Sequence, residues 1–149
     1  MLSPAPIPDG FEPAFVDTDT FIGLCGPLYV RERDDGPPVL AMRIADKHLN
    51  LRGIAHGGLL ATLADTALGY VLNRARGAQL SLVTASLTTD FAEAARLGDW
   101  VEAYVDIQRV GSRMAFANAY LHVGERRILR ASGVFAAVTP LPQGSGTDG

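Results

Sequence analysis

The stretch 48–66, HLNLRGIAHGGLLATLADT, contains the residues best suited to chemistry in this 149-residue chain. His56, Gly57 and Gly58 open a predicted helix, and Asp65 is the only residue in its first four turns that is charged at neutral pH. Free backbone amides at a helix start can stabilise a developing oxyanion. A carboxylate in an apolar helix is costly unless it has a partner or a function. Together they indicate chemistry on a carbonyl group, although such an acid can also form a purely structural ion pair.

The helix that carries Asp65 is apolar around nearly its whole circumference, which predicts that protein covers it on all sides. A membrane span is not expected, because the stretch is shorter than the roughly 20 apolar residues that a bilayer requires and contains an acid. Small residues dominate the face of Asp65, so a sheet, a second subunit or a ligand can approach closely. This face holds Gly58, Ala61, Thr62, Gly69 and Leu72.

Length and composition predict one domain with a proper core: 48% of the residues are hydrophobic, a fraction high enough to favour further burial between subunits. A net charge of −3 disfavours nucleic acid as a partner. Cys25 is the only cysteine, and the first ten residues lack a basic and an apolar signal region, so we expect a cytoplasmic protein. No metal-ligand spacing and no nucleotide-binding glycine motif occur, so no metal or cofactor is expected.

Elements that must position these groups follow from turn residues and alternation. Two strands are predicted before the helix and four after it, and their short connections require antiparallel pairing. The fold class is therefore α+β. A short amphipathic helix is predicted within 11–26, with Phe15 and Phe21 pointing inward, and flexible tails are predicted at 1–10 and 139–149, around a domain at 11–138. The predicted strands are 27–33, 39–44, 81–91, 100–110, 114–123 and 128–138.

Asn50, Gly53, the His56-Gly57-Gly58 triplet and Asp65 match the pattern N-x-x-G-x-x-H-G-G-x-x-x-x-x-x-D. This resembles the motif of the phenylacetate-pathway (PaaI-like) branch of acyl-CoA thioesterases, within the 4-hydroxybenzoyl-CoA thioesterase superfamily. The resemblance covers residues 20–138 and implies the hotdog fold, in which a curved antiparallel sheet wraps one long central helix.

The resemblance also implies roles for five residues. Asp65 matches the catalytic carboxylate, which acts as nucleophile or as base on water. Gly57 matches the residue whose backbone N–H holds the thioester oxygen. Asn50 and His56 match residues that position the thioester or the attacking water, and Thr84 stands where relatives have a Ser or Thr near that water.

A second group of residues is assigned to binding. The turn that contains Arg109, Ser112 and Arg113 looks like the one that contacts the nucleotide end of coenzyme A in relatives, although arginines beside such turns are often simply solvated. Gly58 and Leu68 are assigned to contact with the substrate. The acyl group stays open between aryl, short and medium-chain classes.

The resemblance implies an acyl-CoA thioesterase that releases a free acid and coenzyme A without a metal. It implies active sites shared between two subunits, hence a homodimer, and a homotetramer of two such dimers. An acyl pocket is expected near Leu68, Leu72, Phe91 and Phe15. One alternative is a non-catalytic acyl-CoA sensor on the same fold. Another is a hydratase or dehydratase, whose Asp/His motif is not found here.

Overall fold

The computed structural model describes residues 5–16, 19–77 and 81–139. The described residues form two α-helices, a single turn of 3-10 helix at Asp46–His48 and seven strands. The predicted α+β class is confirmed. In chain order the elements are β1 (Glu12–Ala14), α1 (Phe21–Cys25), β2 (Leu28–Arg31), β3 (Val39–Arg43), α2 (Gly57–Arg76), β4 (Leu82–Phe91), β5 (Trp100–Val110), β6 (Met114–Val123) and β7 (Arg126–Ala137).

All seven strands join one antiparallel sheet in the order β1-β2-β3-β5-β6-β7-β4. Helix α2 contacts β3 through β7, so it lies across most of one sheet face. Strand β4, which follows α2 in the chain, is an edge strand beside β7. The sequence predicted six strands, and the structure adds β1 at the opposite edge.

Helix α2 begins and ends at residues that suit its termini. His56 is the N-cap, and Gly77 ends the helix in the left-handed region with φ 75°. One face is fully covered by the sheet, whereas the opposite face is half-exposed, so the predicted coverage on all sides is not reached within one chain. The covered face consists of Leu60, Leu63, Ala64, Ala67, Leu68, Val71 and Leu72.

The close seat of α2 on the sheet depends on Gly133 in β7. A Cβ atom at this position would lie 2.8 Å from Leu68 Cδ1 and 2.8 Å from Phe135 Cε2. Both contacts are shorter than real Cβ atoms show, so only glycine fits without a shift of the core. Leu68 and Phe135 are buried on either side of it.

The structure of segment 11–26 differs from the predicted amphipathic helix. It does not form one amphipathic helix: strand β1 pairs with β2, and the short α1 follows. Neither Phe15 nor Phe21 points into the core, since their exposed fractions are 39% and 63%. Pro13 explains the difference, because proline opposes a helix interior and is tolerated on an edge strand.

The part of the predicted N-terminal tail that the structure describes packs against the outer sheet face. Arg43 Nη2 donates to the carbonyl oxygen of Pro6 at 2.7 Å. Ile7 packs against a small cluster with Phe11 and Val39, and the Phe11 ring meets Trp100 edge-on, with centroids 5.1 Å apart. Residues 1–4 and 140–149 lie outside the described residues.

Candidate active site

Asp65 and Thr84 form the first cluster of predicted site residues. Thr84 Oγ1 donates a hydrogen bond to Asp65 Oδ1 at 2.6 Å. Thr84 comes to this position next to a β-bulge: it pairs with Phe135, whereas Ser86 already pairs with the adjacent Val134. Such a bulge re-aims side chains. The half-buried Asp65 carboxylate therefore has a hydroxyl on one oxygen, and its other oxygen has no hydrogen-bond partner among the residues that the structure describes.

The start of α2 forms the second cluster. His56 Nδ1 accepts from the Gly58 N–H at 2.8 Å, and the His56 carbonyl accepts from the Leu59 and Leu60 N–H groups at 3.0 and 3.2 Å. Within the described part of the chain, the Gly57 N–H has no hydrogen-bond partner. Of the first helical turn, this one amide stays available for an external acceptor.

The His56 ring has a defined hydrogen-bonding direction. Because Nδ1 accepts from the Gly58 N–H, the proton of the neutral imidazole sits on Nε2. The side chain is exposed, so Nε2–H is free to donate to a ligand. With Nδ1 already bonded to the Gly58 N–H, the His56 ring can donate a hydrogen bond to a ligand through Nε2.

Asn50 shapes the loop before the helix. Its Oδ1 accepts from the Arg52 N–H at 2.9 Å and from the Ile54 N–H at 3.4 Å. Its backbone N–H donates to the Ile54 carbonyl at 2.8 Å. The side-chain oxygen of Asn50 is thus committed to the fold of this loop, and Asn50 lines the same surface cavity as His56.

The buried His48 holds the same loop through hydrogen bonds, and no role was assigned to it from the sequence. It is buried, its Nδ1 accepts from the Ala45 N–H at 2.8 Å, and its Nε2–H donates to the Cys25 carbonyl at 2.5 Å. The His48 carbonyl accepts the His56 N–H at 2.8 Å. Burial lowers the pKa of His48, and the bond to Cys25 and the charge of Lys47 are smaller influences on it.

Within one chain the two clusters do not meet. Asp65 follows Gly57 by two turns, which places it roughly 12 Å further along the helix axis. One thioester group cannot touch both at hydrogen-bond distance. The structure therefore joins Asp65 to Thr84, and Gly57 to His56 and Asn50, as two separate halves.

A groove of about 800 Å³ runs from Asp65 along α2 towards Gly77. Its other wall comes from the start of β4, and three aromatic rings border it: Phe15, Tyr70 and Phe135. A smaller cavity of about 470 Å³ lies at the helix start and includes His56 and Gly58. The larger cavity therefore belongs to the Asp65 half.

A family model described as the thioesterase superfamily matches residues 52–129. The chain belongs to the thioesterase superfamily. A Pseudomonas aeruginosa protein named as an esterase is 46% identical to this thioesterase over 129 residues, which are 87% of this chain and 96% of that protein. The acyl-coenzyme A thioesterase PaaI of Escherichia coli is 34% identical over 80 residues, 54% of this chain and 55% of that protein.

Solved structures show the same fold. The Escherichia coli PaaI protein has a TM-score of 0.72 at 22% identity, covering 82% of this chain and 87% of that chain. A Streptococcus pneumoniae thioesterase protein solved with coenzyme A has a TM-score of 0.68 at 23% identity, covering 76% and 90% of the two chains. The predicted hotdog fold and PaaI-like resemblance are confirmed, and the chain is a thioester hydrolase.

The turn predicted to contact coenzyme A lies beyond the far end of α2 in this thioesterase. Arg76 Nη1 donates to the Gly111 carbonyl at 2.9 Å, and Nη2 donates to the Ser112 carbonyl at 3.2 Å. Arg109, Ser112 and Arg113 are exposed. Arg76 at the C-terminal end of α2 therefore helps to fix this turn, together with the bond from the Gly111 N–H to the Met114 carbonyl.

Other predicted contacts fall in different places. Leu68 and Leu72 are fully buried against the sheet and line neither cavity, so the structure does not bring them to the site. Phe91 is half-exposed beside Gly57, where a Cβ at residue 57 would lie 3.3 Å from Phe91 Cε1. Within 5–16, 19–77 and 81–139, no group of three His, Cys, Asp or Glu residues is arranged to hold a metal ion, and no helix is long and apolar enough to cross a membrane.

Proposed function

We propose that this thioesterase hydrolyses acyl-CoA thioesters to a free acid and coenzyme A at sites shared between two copies of the chain. The observation that carries the proposal is the division of the machinery into two halves. Asp65 holds Thr84 beside a large groove, while the available Gly57 N–H lies two turns away beside His56. A second copy supplies the missing half of each site.

In a dimer with two-fold symmetry, each copy supplies the missing half of the other copy's site, so two complete sites form. If Asp65 of one chain faces Gly57 of the other, the symmetry axis crosses α2 midway between them, near Ala61. Ala61 and its neighbour Thr62 are small and half-exposed. Because Thr84 lies beside Asp65 and Phe91 lies beside Gly57, the same axis crosses β4 near its centre, and no other described strand pairs with the outer edge of β4. This arrangement supports a homodimer, and the resemblance extends it to a tetramer of two such dimers.

The proposed chemistry uses the two halves on one carbonyl. The thioester oxygen accepts the Gly57 N–H, whose position at the helix start favours the developing negative charge. Thr84 donates to Asp65 Oδ1, so Oδ2 is left to attack the carbonyl carbon or to take a proton from water that attacks it. The carbon–sulfur bond then breaks, and coenzyme A leaves as the thiolate.

In the attack route, the carboxylate forms an anhydride that water hydrolyses, and in the base route hydroxide is added directly. Both routes give the same acid and thiol. His56 Nε2–H is a positioning donor for the thioester or the water. Asn50 is a positioning residue that acts through the loop that it holds.

The test is Asp65→Asn, which keeps the side-chain volume but can neither attack nor accept a proton. With a thiol reagent on an acyl-CoA panel, kcat should fall about 10²–10⁴-fold. Affinity for an unreactive S-alkyl coenzyme A should persist. Asp106→Asn, on an exposed position of β5, is the matched control and should keep wild-type kcat.

Two results would count against the proposal. Near-wild-type kcat in Asp65→Asn would leave Asp65 with a structural role. Tight binding without turnover in the wild-type chain would favour the acyl-CoA sensor over the enzyme.

A further inference from the structure

The groove beside α2 begins at the proposed reactive group and follows one face of the helix. Asp65, Gly69 and Asn73 are each separated by four residues, so they lie one above the other along this face. All three line the groove. Its opposite wall includes Leu82 and Phe135, so most of the surface between the two ends is apolar.

The polar groups at the far end already have partners. Asn73 Nδ2 donates to the Gly69 carbonyl at 2.9 Å, and Asn73 Oδ1 accepts from the Ser81 and Leu82 N–H groups at 3.0 and 3.2 Å. An occupant with amides or a carboxylate would find few free partners here and would lose its bonds to water. A hydrocarbon chain loses nothing, which argues against the pantetheine arm as the occupant.

Arg74, the cation at this end, is also occupied. It forms an ion pair with Glu32 and donates to the Tyr70 hydroxyl at 3.3 Å. A terminal carboxylate on the acyl group would have to compete with Glu32 for it. The groove therefore fits an uncharged acyl chain that carries no second carboxylate at its far end.

The length of the groove limits the length of the chain. From Asp65 to Asn73 the helix rises roughly 12 Å. An extended hydrocarbon advances about 1.25 Å per carbon along its zigzag, so about ten carbons reach Asn73. Asn73 bridges α2 and the start of β4, and the groove beyond it is bordered by Arg74, whose ion pair with Glu32 makes that stretch less suited to a hydrocarbon.

Gly69 stands halfway along, roughly 6 Å from Asp65. A Cβ there would lie 3.5 Å from Phe135 Cε1, an ordinary contact, and because both residues line the groove a larger side chain at residue 69 would take up space in it. We propose that the acyl group of the substrate is a medium-length saturated chain lying in this groove, and that Gly69 admits its distal half. This inference rests on the proposed hydrolysis at Asp65.

Phe15 forms the outer wall of the same groove. Its ring meets Tyr70 edge-on with centroids 5.7 Å apart, and its backbone has a φ of 55°, an uncommon value for a non-glycine residue. Residue 15 lies outside the segment 52–129 that matches the family model. The wall is therefore supplied by a part of this chain separate from the catalytic motif.

The experiment compares kcat/KM for butyryl-, octanoyl- and decanoyl-CoA in the wild type and Gly69→Leu. The ratio of decanoyl to butyryl activity should fall by at least about tenfold, because each methylene lost from an apolar pocket counts. Ala75→Leu adds the same side chain on an exposed turn of α2 and should keep the wild-type ratio. Equal loss on all three substrates, or an unchanged ratio, overturns the proposal.

Phe15→Ala provides an independent test if Gly69→Leu fails to fold, since residue 15 is partly exposed. It should lower the decanoyl to butyryl ratio in the same direction, and an unchanged ratio contradicts the assignment. Failure of this inference is separable from failure of the proposed function. In the first case the wild type hydrolyses acyl-CoA and depends on Asp65, but substitutions at residues 15 and 69 leave the ratio of decanoyl to butyryl activity unchanged.

Discussion

Two inactive variants of this thioesterase should regain activity when their subunits are mixed. Asp65→Asn removes the carboxylate and leaves the helix start intact, whereas the double variant Asn50→Ala/His56→Ala does the reverse. Gly57 and Asp65 lie roughly 12 Å apart along one helix, so neither variant can rebuild a site within its own chain. A mixed dimer, however, places both defects in one site and neither defect in the other.

The size of the recovery follows from this geometry. With equal amounts and random pairing, half of the dimers are mixed, and one of the two sites in each mixed dimer has every wild-type residue. About a quarter of all sites should therefore be wild-type. A tetramer built from two such dimers gives the same fraction, because the sharing occurs within each dimer.

The assay exchanges subunits in dilute denaturant, removes the denaturant and measures thiol release at saturating acyl-CoA. Asp65→Asn mixed with Asp65→Ala is the control, since every site in that mixture lacks the carboxylate. Activity no higher than the sum of the two separate variants, in protein that sizing shows to be dimeric, would mean that each site is built from one chain. The reasoning from the helix separation would then be refuted.

Two further predictions concern the exposed turn that contains Arg113 and the buried His48. Arg113→Ala should raise KM for acyl-CoA with little change in kcat, and the defect should shrink for a pantetheine thioester, which lacks the nucleotide; equal defects on both substrates would make the turn structural. Because the pKa of His48 is lowered in the folded state, the unfolded chain binds more protons below the usual value of 6.5, so the free energy of unfolding should fall as pH drops below it. His48→Gln should weaken this dependence in urea unfolding at pH 7.5 and 5.5, and an unaltered dependence would exclude His48 as a source.

The strands after α2 could be predicted closely because two signals coincide there. The structure has β5 at Trp100–Val110 and β6 at Met114–Val123, as predicted, since alternation fills each strand and glycine turns bound it. Strand β1 gave no such signal, because it is three residues long and contains Pro13. Its existence depends on pairing with β2, which no local pattern reports.

For the candidate site, too, the sequence indicated some residues and not others. Thr84, which the resemblance placed near the attacking water, donates to Asp65 in the structure, whereas Leu68 was expected near the substrate and is buried instead. Leu68 and Gly69 are neighbours, but one residue turns an α-helix by about 100°, and this turns Leu68 to the sheet and Gly69 to the groove. The hydrophobic side chain of Leu68 made it the expected substrate contact. Gly69 has no side chain, so its residue type alone did not indicate that it lines the groove.

The free edge of β4 has a consequence for the life of the protein before assembly. A newly folded single chain presents a ten-residue strand whose outer edge no other strand of the described ranges covers, and such an edge can pair with another extended segment. In the proposed dimer a second copy covers this edge, so assembly competes directly with aggregation. Substitutions that weaken the contact near Ala61 should therefore reduce the yield of soluble protein during expression, and few intact monomers should be recovered from them.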